Sequence, residues 1–204
     1  MAERQAFHGR LLEIARSYEE YGRLQPDLGF APIPCAPAIS THVGGVSRPS
    51  LSASQDTATH GRKLYWLFAK QSNGGSYVPQ SGPSPVGQVV VKEAWTAEEV
   101  EDRGLADTRV VRKVKVRRGG QLVDEVDGFV PYARQDGRVY HAAQKAALFI
   151  MYKLDPQTPG TDEGWVYGTV TPDGQEVTSA GRVESCMSCH RDAPHGRLFG
   201  LPKE

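Results

Sequence analysis

The chain has 204 residues, enough for one domain with its own hydrophobic core and too few to make two full-sized domains the default. Lys and Arg together number 24 and so do Asp and Glu, so no net field draws nucleic acid or an anionic membrane surface. No apolar run reaches the roughly 20 residues of a membrane-spanning helix, and 22 Gly with 14 Pro point to many turns and long connections.

Residues 2–24 place Phe7, Leu11, Ile14, Tyr18 and Tyr21 at steps of three and four with Arg and Glu between them. That pattern predicts an amphipathic helix, not the apolar centre of a signal peptide. Residues 25–60 are rich in Pro, Gly, Ser and Thr; Pro32, Pro34 and Pro37 bracket Cys35, and Gly44-Gly45 follows. An irregular connection is expected there, either a cover near the functional site or a partly mobile segment.

Strands separated by turn signals come next. Residues 63–70 carry the aromatic run Tyr65, Trp66 and Phe68, which fits a half-buried sheet. Residues 86–93 carry Val89, Val90 and Val91, apolar on both parities as in a central strand covered on both sides. Thr96 with Glu99 three residues on forms a capping box and predicts a short helix. Residues 109–116 alternate Val with Arg or Lys, Gly119-Gly120 reads as a hairpin turn, and the return strand starts at Leu122, with one face of the hairpin wet. Residues 145–154 form the most apolar strand, residues 164–170 follow, and Pro172-Asp173-Gly174 turns the chain into residues 175–178. A last short helix over 183–190 carries two of the three cysteines. No internal repeat is visible. The expected class is α+β: a mainly antiparallel sheet with an N-terminal helix and a short C-terminal helix. One domain is expected over 1–204, with residues 1–59 as the helix and long connection and residues 60–204 as the core.

The most specific motif is Cys186-Met187-Ser188-Cys189-His190. Covalent haem attachment needs two thiols that add to two vinyl groups, and positions three apart on a helix share one face. Cys186 and Cys189 can therefore reach one porphyrin edge together, and His190 follows as the proximal iron ligand. The motif predicts one covalent haem c. Half of a zinc site is the rival, but zinc needs two or more further Cys or His at short spacing, and Cys35 stands alone. With two cysteines on haem, an intrachain disulfide framework is ruled out. Covalent attachment in bacteria takes place outside the cytoplasm, so a periplasmic or otherwise exported protein is expected, with an export signal that this sequence does not itself display. Electron-carrying c-type cytochromes are usually small and helical with the motif near the start; here it lies near the end of a sheet protein. Met187 lies within the motif and Met151 reads as strand core, so an open distal side is favoured.

An ordered series of further motifs resembles the cytochrome P-460 family, which includes the cytochromes c′-beta. The series is His60-Gly61, Gly87, Val89-Val90-Val91-Lys92-Glu93, Met151-Tyr152-Lys153, Trp165, Pro172-Asp173-Gly174, Ala180-Gly181-Arg182-Val183-Glu184 leading into the cysteines, and Phe199. It covers the chain from about His60 to Phe199, and the first 59 residues look different from the family's usual start. The resemblance implies a five-coordinate haem on an antiparallel sheet, often in a homodimer, with chemistry on small nitrogen compounds. In the hydroxylamine-oxidising members a lysine bonds to the porphyrin rim, and the matching position is Lys92; an apolar neighbour such as Val90 favours the neutral, nucleophilic amine. Those members also use a distal carboxylate, and its position here is Phe149, which cannot accept a proton. Cytochromes c′-beta cap the distal face with phenylalanines instead, a role that Phe149 and Phe68 would suit.

Arg182 and Arg191 flank the attachment helix and could pair with haem propionates or be solvated helix ends. His42, His60, His141 and His195 could be distal ligands or proton carriers, though surface and turn histidines are commoner. Cys35 reads as a buried or incidental thiol. Three functions follow: an enzyme that oxidises hydroxylamine or nitric oxide and passes electrons to a redox partner protein, a non-enzymatic nitric oxide binder, and an electron carrier with a second axial ligand.

Overall fold

A computed structural model describes residues 5–24, 29–30, 63–70, 84–102, 109–193 and 196–198. Cys35, His42, His60, Gly61, His195, Phe199 and almost all of the 25–60 connection lie outside the described residues. The elements in chain order are a helix α1 (His8–Ser17), a 3-10 turn (Tyr18–Tyr21), strands β1 (Gly29–Phe30), β2 (Lys63–Ala69), β3 (Val89–Val100), β4 (Val110–Arg118), β5 (Gln121–Phe129), β6 (Tyr132–Gln135), β7 (Arg138–Lys153), β8 (Trp165–Val170) and β9 (Val177–Gly181), and a helix α2 (Glu184–His190). The main sheet runs β1-β2-β3-β7-β8-β9 with β6 also on β7, and every pairing is antiparallel. The class is α+β, as expected. Among the described residues no helix is long and apolar enough to cross a membrane.

Two expectations about helices are corrected. The first helix is shorter than 2–24: α1 gives way to the 3-10 turn, which Gly22 ends at φ +83°. The helix expected at Thr96 is instead the continuation of β3, which pairs with β7 as far as Val100. There the capping residues have other partners: Thr96 Oγ1 bonds the Gln144 main chain at 3.1 and 3.3 Å, and Glu99 pairs with Arg138. Long-range ladder bonds outweigh a local cap signature worth about 1 kcal/mol. β7 likewise starts earlier than residue 145, entered from β6 through a turn at Asp136 and Gly137, both at positive φ. Register shifts at 94–97 of β3 set extra β7 residues between the two halves of that strand.

Alternation sorts the sheet's two faces. Leu64, Trp66 and Phe68 of β2, Val89 and Val91 of β3, Leu148, Ile150 and Tyr152 of β7, and Val166 and Val170 of β8 pack with Leu11, Ile14 and Tyr18 in one core. Leu11 seats over Gly168, where an added Cβ would lie 2.5 Å from its Cδ2, so the glycine lets the helix approach the sheet. Tyr18 donates to the buried Glu93 carboxylate, which also receives Trp95 Nε1 at 2.8 Å and lies 3.4 Å from Lys145 Nζ. This polar cluster ties the 3-10 turn after α1 to β3 and β7, on the face opposite Lys92. The β4–β5 hairpin is a separate ribbon. Val116 points inward, while Val111 and Val126 are exposed, as a hairpin with one wet face requires.

Candidate haem-attachment face

The face of the sheet away from α1 carries the predicted chemistry. Cross-strand register sets Leu67, Lys92, Phe149 and Thr169 in one row across β2, β3, β7 and β8, and Ala69, Val90, Met151 and Tyr167 in the next. Directly opposed residues in such rows have Cβ atoms about 5 Å apart, so Lys92 and Phe149 are side by side. Lys92 Nζ lies 4.0 Å from the centre of the Tyr65 ring, and Lys63 Nζ lies 5.6 Å from that of Phe149.

α2 closes one end of this face. Its first turn forms where the N–H groups of Cys186 and Met187 both bond Val183 O, and Met187 anchors it in a second core with Ala69, Met151, Trp165, Tyr167 and Leu198. Met151 is thus part of the packing beneath α2. Cys186 and Cys189 are both free thiols, three apart on the helix; burial pushes the Cys186 thiol up to about 11. His190 ends the helix with its ring 5.6 Å from that of Tyr167, tilted by 51°. Its Nδ1 is 2.7 Å from Arg197 O. A carbonyl only accepts, so Nδ1 carries the proton and, in the neutral ring, Nε2 holds the lone pair. Burial lowers the His190 pKa below its ordinary value and the nearby charge of Lys92 lowers it further, against the opposing effects of the Arg197 carbonyl and Asp162. The neutral ring is the form that ligates a metal, and Lys92 is within electrostatic reach of it.

These donors fit the predicted cofactor. Two reduced thiols on one helical turn suit two vinyl groups, and a haem iron takes four ligands from its porphyrin, so one neutral imidazole suffices. A zinc centre needs more: among the described residues no group of three or more His, Cys, Asp or Glu side chains is placed to hold a metal ion.

Other predicted residues are placed elsewhere. Phe68 does not join Phe149; it faces α1, edge-on to Tyr18 with ring centres 4.9 Å apart, because its parity in β2 is opposite to that of Tyr65 and Leu67. Arg191 pairs with Glu184 at 3.4 Å on the exposed side of α2. Arg182 is exposed and lines a groove with Gln5, His8 and Thr178 at the β9 edge beside α1. His141 pairs with Tyr132 and Glu98 at the far end of β7. Conversely, Tyr65, Asp162, Tyr167 and Arg197 belong to this region, and none of them has a functional role read from the sequence. Tyr65 and Tyr167 share the parity of the Lys92 row and could have been found by counting; Asp162 and Arg197 meet only through the fold.

Compared with protein-family models and with curated proteins, the chain matches none.

Proposed function

We propose that this chain is a mono-haem c-type cytochrome that binds or oxidises small nitrogen compounds, hydroxylamine or nitric oxide. Cys186 and Cys189 would hold the haem as thioethers, each thiol adding across one vinyl group, and His190 Nε2 would ligate the iron. The observation that carries this reading is the shared face: the Lys92–Phe149 row and the Cys186/Cys189/His190 helix lie on the same side of one sheet, with the imidazole already in the ligating tautomer. When bound, the haem would supply a one-electron couple and an iron able to take a small ligand. The chain's own residues set an apolar wall beside the cations Lys92 and Lys63. Val90, Met151 and Tyr167 exclude water, and Lys92 places a positive charge over Tyr65 that favours electron-rich ligands. The ordered motifs resembling the cytochrome P-460 family support the same assignment. Electrons from an oxidation would leave to an acceptor protein, and covalent attachment would place the chain outside the cytoplasm.

Phe149 favours a second reading, capture of nitric oxide without turnover. Where the oxidising members resembled here have a carboxylate, its ring takes no proton from a substrate.

Expression in a host with working cytochrome c maturation tests both. A haem mass retained on the denatured chain and a ferrous spectrum with an open axial position support the proposal; a chain without tetrapyrrole overturns it. A low-spin spectrum assigns electron transfer instead. Steady-state turnover with hydroxylamine separates enzyme from binder.

A further inference from the structure

The segment after α2 returns to His190 by a route the proposed function does not use. Arg197 gives its main-chain carbonyl to His190 Nδ1 and its side chain to Asp162, with Nε 2.9 Å from Oδ2 and Nη2 3.1 Å from Oδ1. Both carboxylate oxygens face one guanidinium fork, the strongest geometry available to such a pair. Tyr167, whose ring neighbours His190, adds its hydroxyl to Asp162 Oδ2 at 3.0 Å. Asp162 is itself held in a tight turn, since its N–H and C=O each bond Trp165 at 2.9 Å across Glu163 and Gly164, both at positive φ. Trp165 Nε1 in turn donates to Gly196 O at 3.0 Å, and Lys153 donates to Glu163 O.

Asp162 is 7% exposed, so its charge is balanced inside the protein and not by water. Arg197 is held at φ +77°, a region that a residue with a side chain adopts only when its surroundings demand it. A buried two-armed ion pair and a bent backbone thus converge on the Arg197 carbonyl at His190 Nδ1.

We infer that Asp162 and Arg197 are positioning residues for His190: their ion pair presses the Arg197 carbonyl onto Nδ1, fixes the proton there, and so sets the direction and basicity of Nε2. The role toward iron rests on the function proposed above; the tautomer does not. A hydrogen bond donated by Nδ1 raises the electron density of the ring, strengthens its bond to iron and lowers the midpoint potential.

The test uses the full chain, matured with haem, and the variants Asp162→Asn, Arg197→Gly and Arg197→Lys. Glycine accepts the positive φ and keeps the carbonyl while removing the guanidinium. The readouts are the iron–histidine stretching frequency of the ferrous form by resonance Raman and the midpoint potential, with melting temperature alongside. The stretch is expected to move down and the potential up in Asp162→Asn and Arg197→Gly, with partial recovery in Arg197→Lys. Unchanged stretch and potential, whatever the melting temperature does, overturn the inference and leave the pair a tether. If no haem attaches, the proposed function fails and histidine 15N NMR of the same chains decides. A protonated Nδ1 in the wild type that becomes a mixture of tautomers in Arg197→Gly upholds the positioning role; identical spectra overturn it.

Discussion

Lys92 and Phe149 are opposed across β3 and β7, and under the proposed function the chemistry of their row would turn on which side chain stands beside the lysine. Phe149→Glu would put a carboxylate there within reach of a proton. General-base assistance is worth about 10²–10⁴-fold, so hydroxylamine turnover of the haem-loaded variant is expected to rise by about 10²-fold or more in a steady-state assay, and an unchanged rate would mean that this row does not face the substrate. Lys92→Met removes a charge that lowers the His190 pKa, and NMR titration of the haem-free chain should find the His190 value higher than in the haem-free wild type. Legibility at this scale followed chemistry more than geometry. Cys186, Cys189 and His190 announce themselves by spacing alone, whereas Phe68 went to the wrong face because its ring was read for its type and not for its parity against Lys92.

Strands were readable from alternation in β4 and from apolar or aromatic runs in β2 and β8, and turns at Gly119-Gly120 and Pro172-Asp173-Gly174. The Thr96–Glu99 segment was not, because a local capping pattern carries no information about β7, which supplies the bonds that make it a strand. The Asp136-Gly137 pair was an available hairpin signal for β6 and the first half of β7. The turn that positions Asp162 depends on Gly164, at φ +86°, where an added Cβ would lie 2.4 Å from Leu154 O and 2.9 Å from Asp155 O. Main chain cannot give way as a side-chain tip can, and the left-handed region alone costs about 1–2 kcal/mol. Gly164→Ala is therefore expected to lower unfolding stability by about 2 kcal/mol or more, read from denaturant midpoints at unchanged m-value.

For the molecule as a whole, the β4–β5 ribbon is joined to the main sheet through Arg23. Its guanidinium bonds both oxygens of Asp127 at 3.2 and 3.1 Å and stacks 4.2 Å from the Phe129 ring centre and 4.4 Å from that of Trp66; Arg112 shares the carboxylate at 3.0 Å. Burial pushes the Asp127 pKa up, but the two guanidiniums outweigh it and hold the group below its ordinary 3.8. The pair therefore stabilises the fold fully above that value, and its contribution is lost as pH falls through the lower, folded value. Asp127→Asn leaves Arg23, 5% exposed, without its counter-charge and is expected to cost about 3–5 kcal/mol at neutral pH. In acid unfolding the gap between variant and wild type should narrow as pH drops below 3.8, and a pH-independent gap would contradict the assignment. β7 has a different consequence. It carries β6 along its first half and β8 along its second, with the register shifts between them, and its buried residues are denser in the second, from Leu148 to Lys153. Like a beam propped at one end, it should let deuterium into the amides around Tyr140 well before those around Ile150, so that the part of the sheet nearest the cysteines keeps its shape while the distant part breathes.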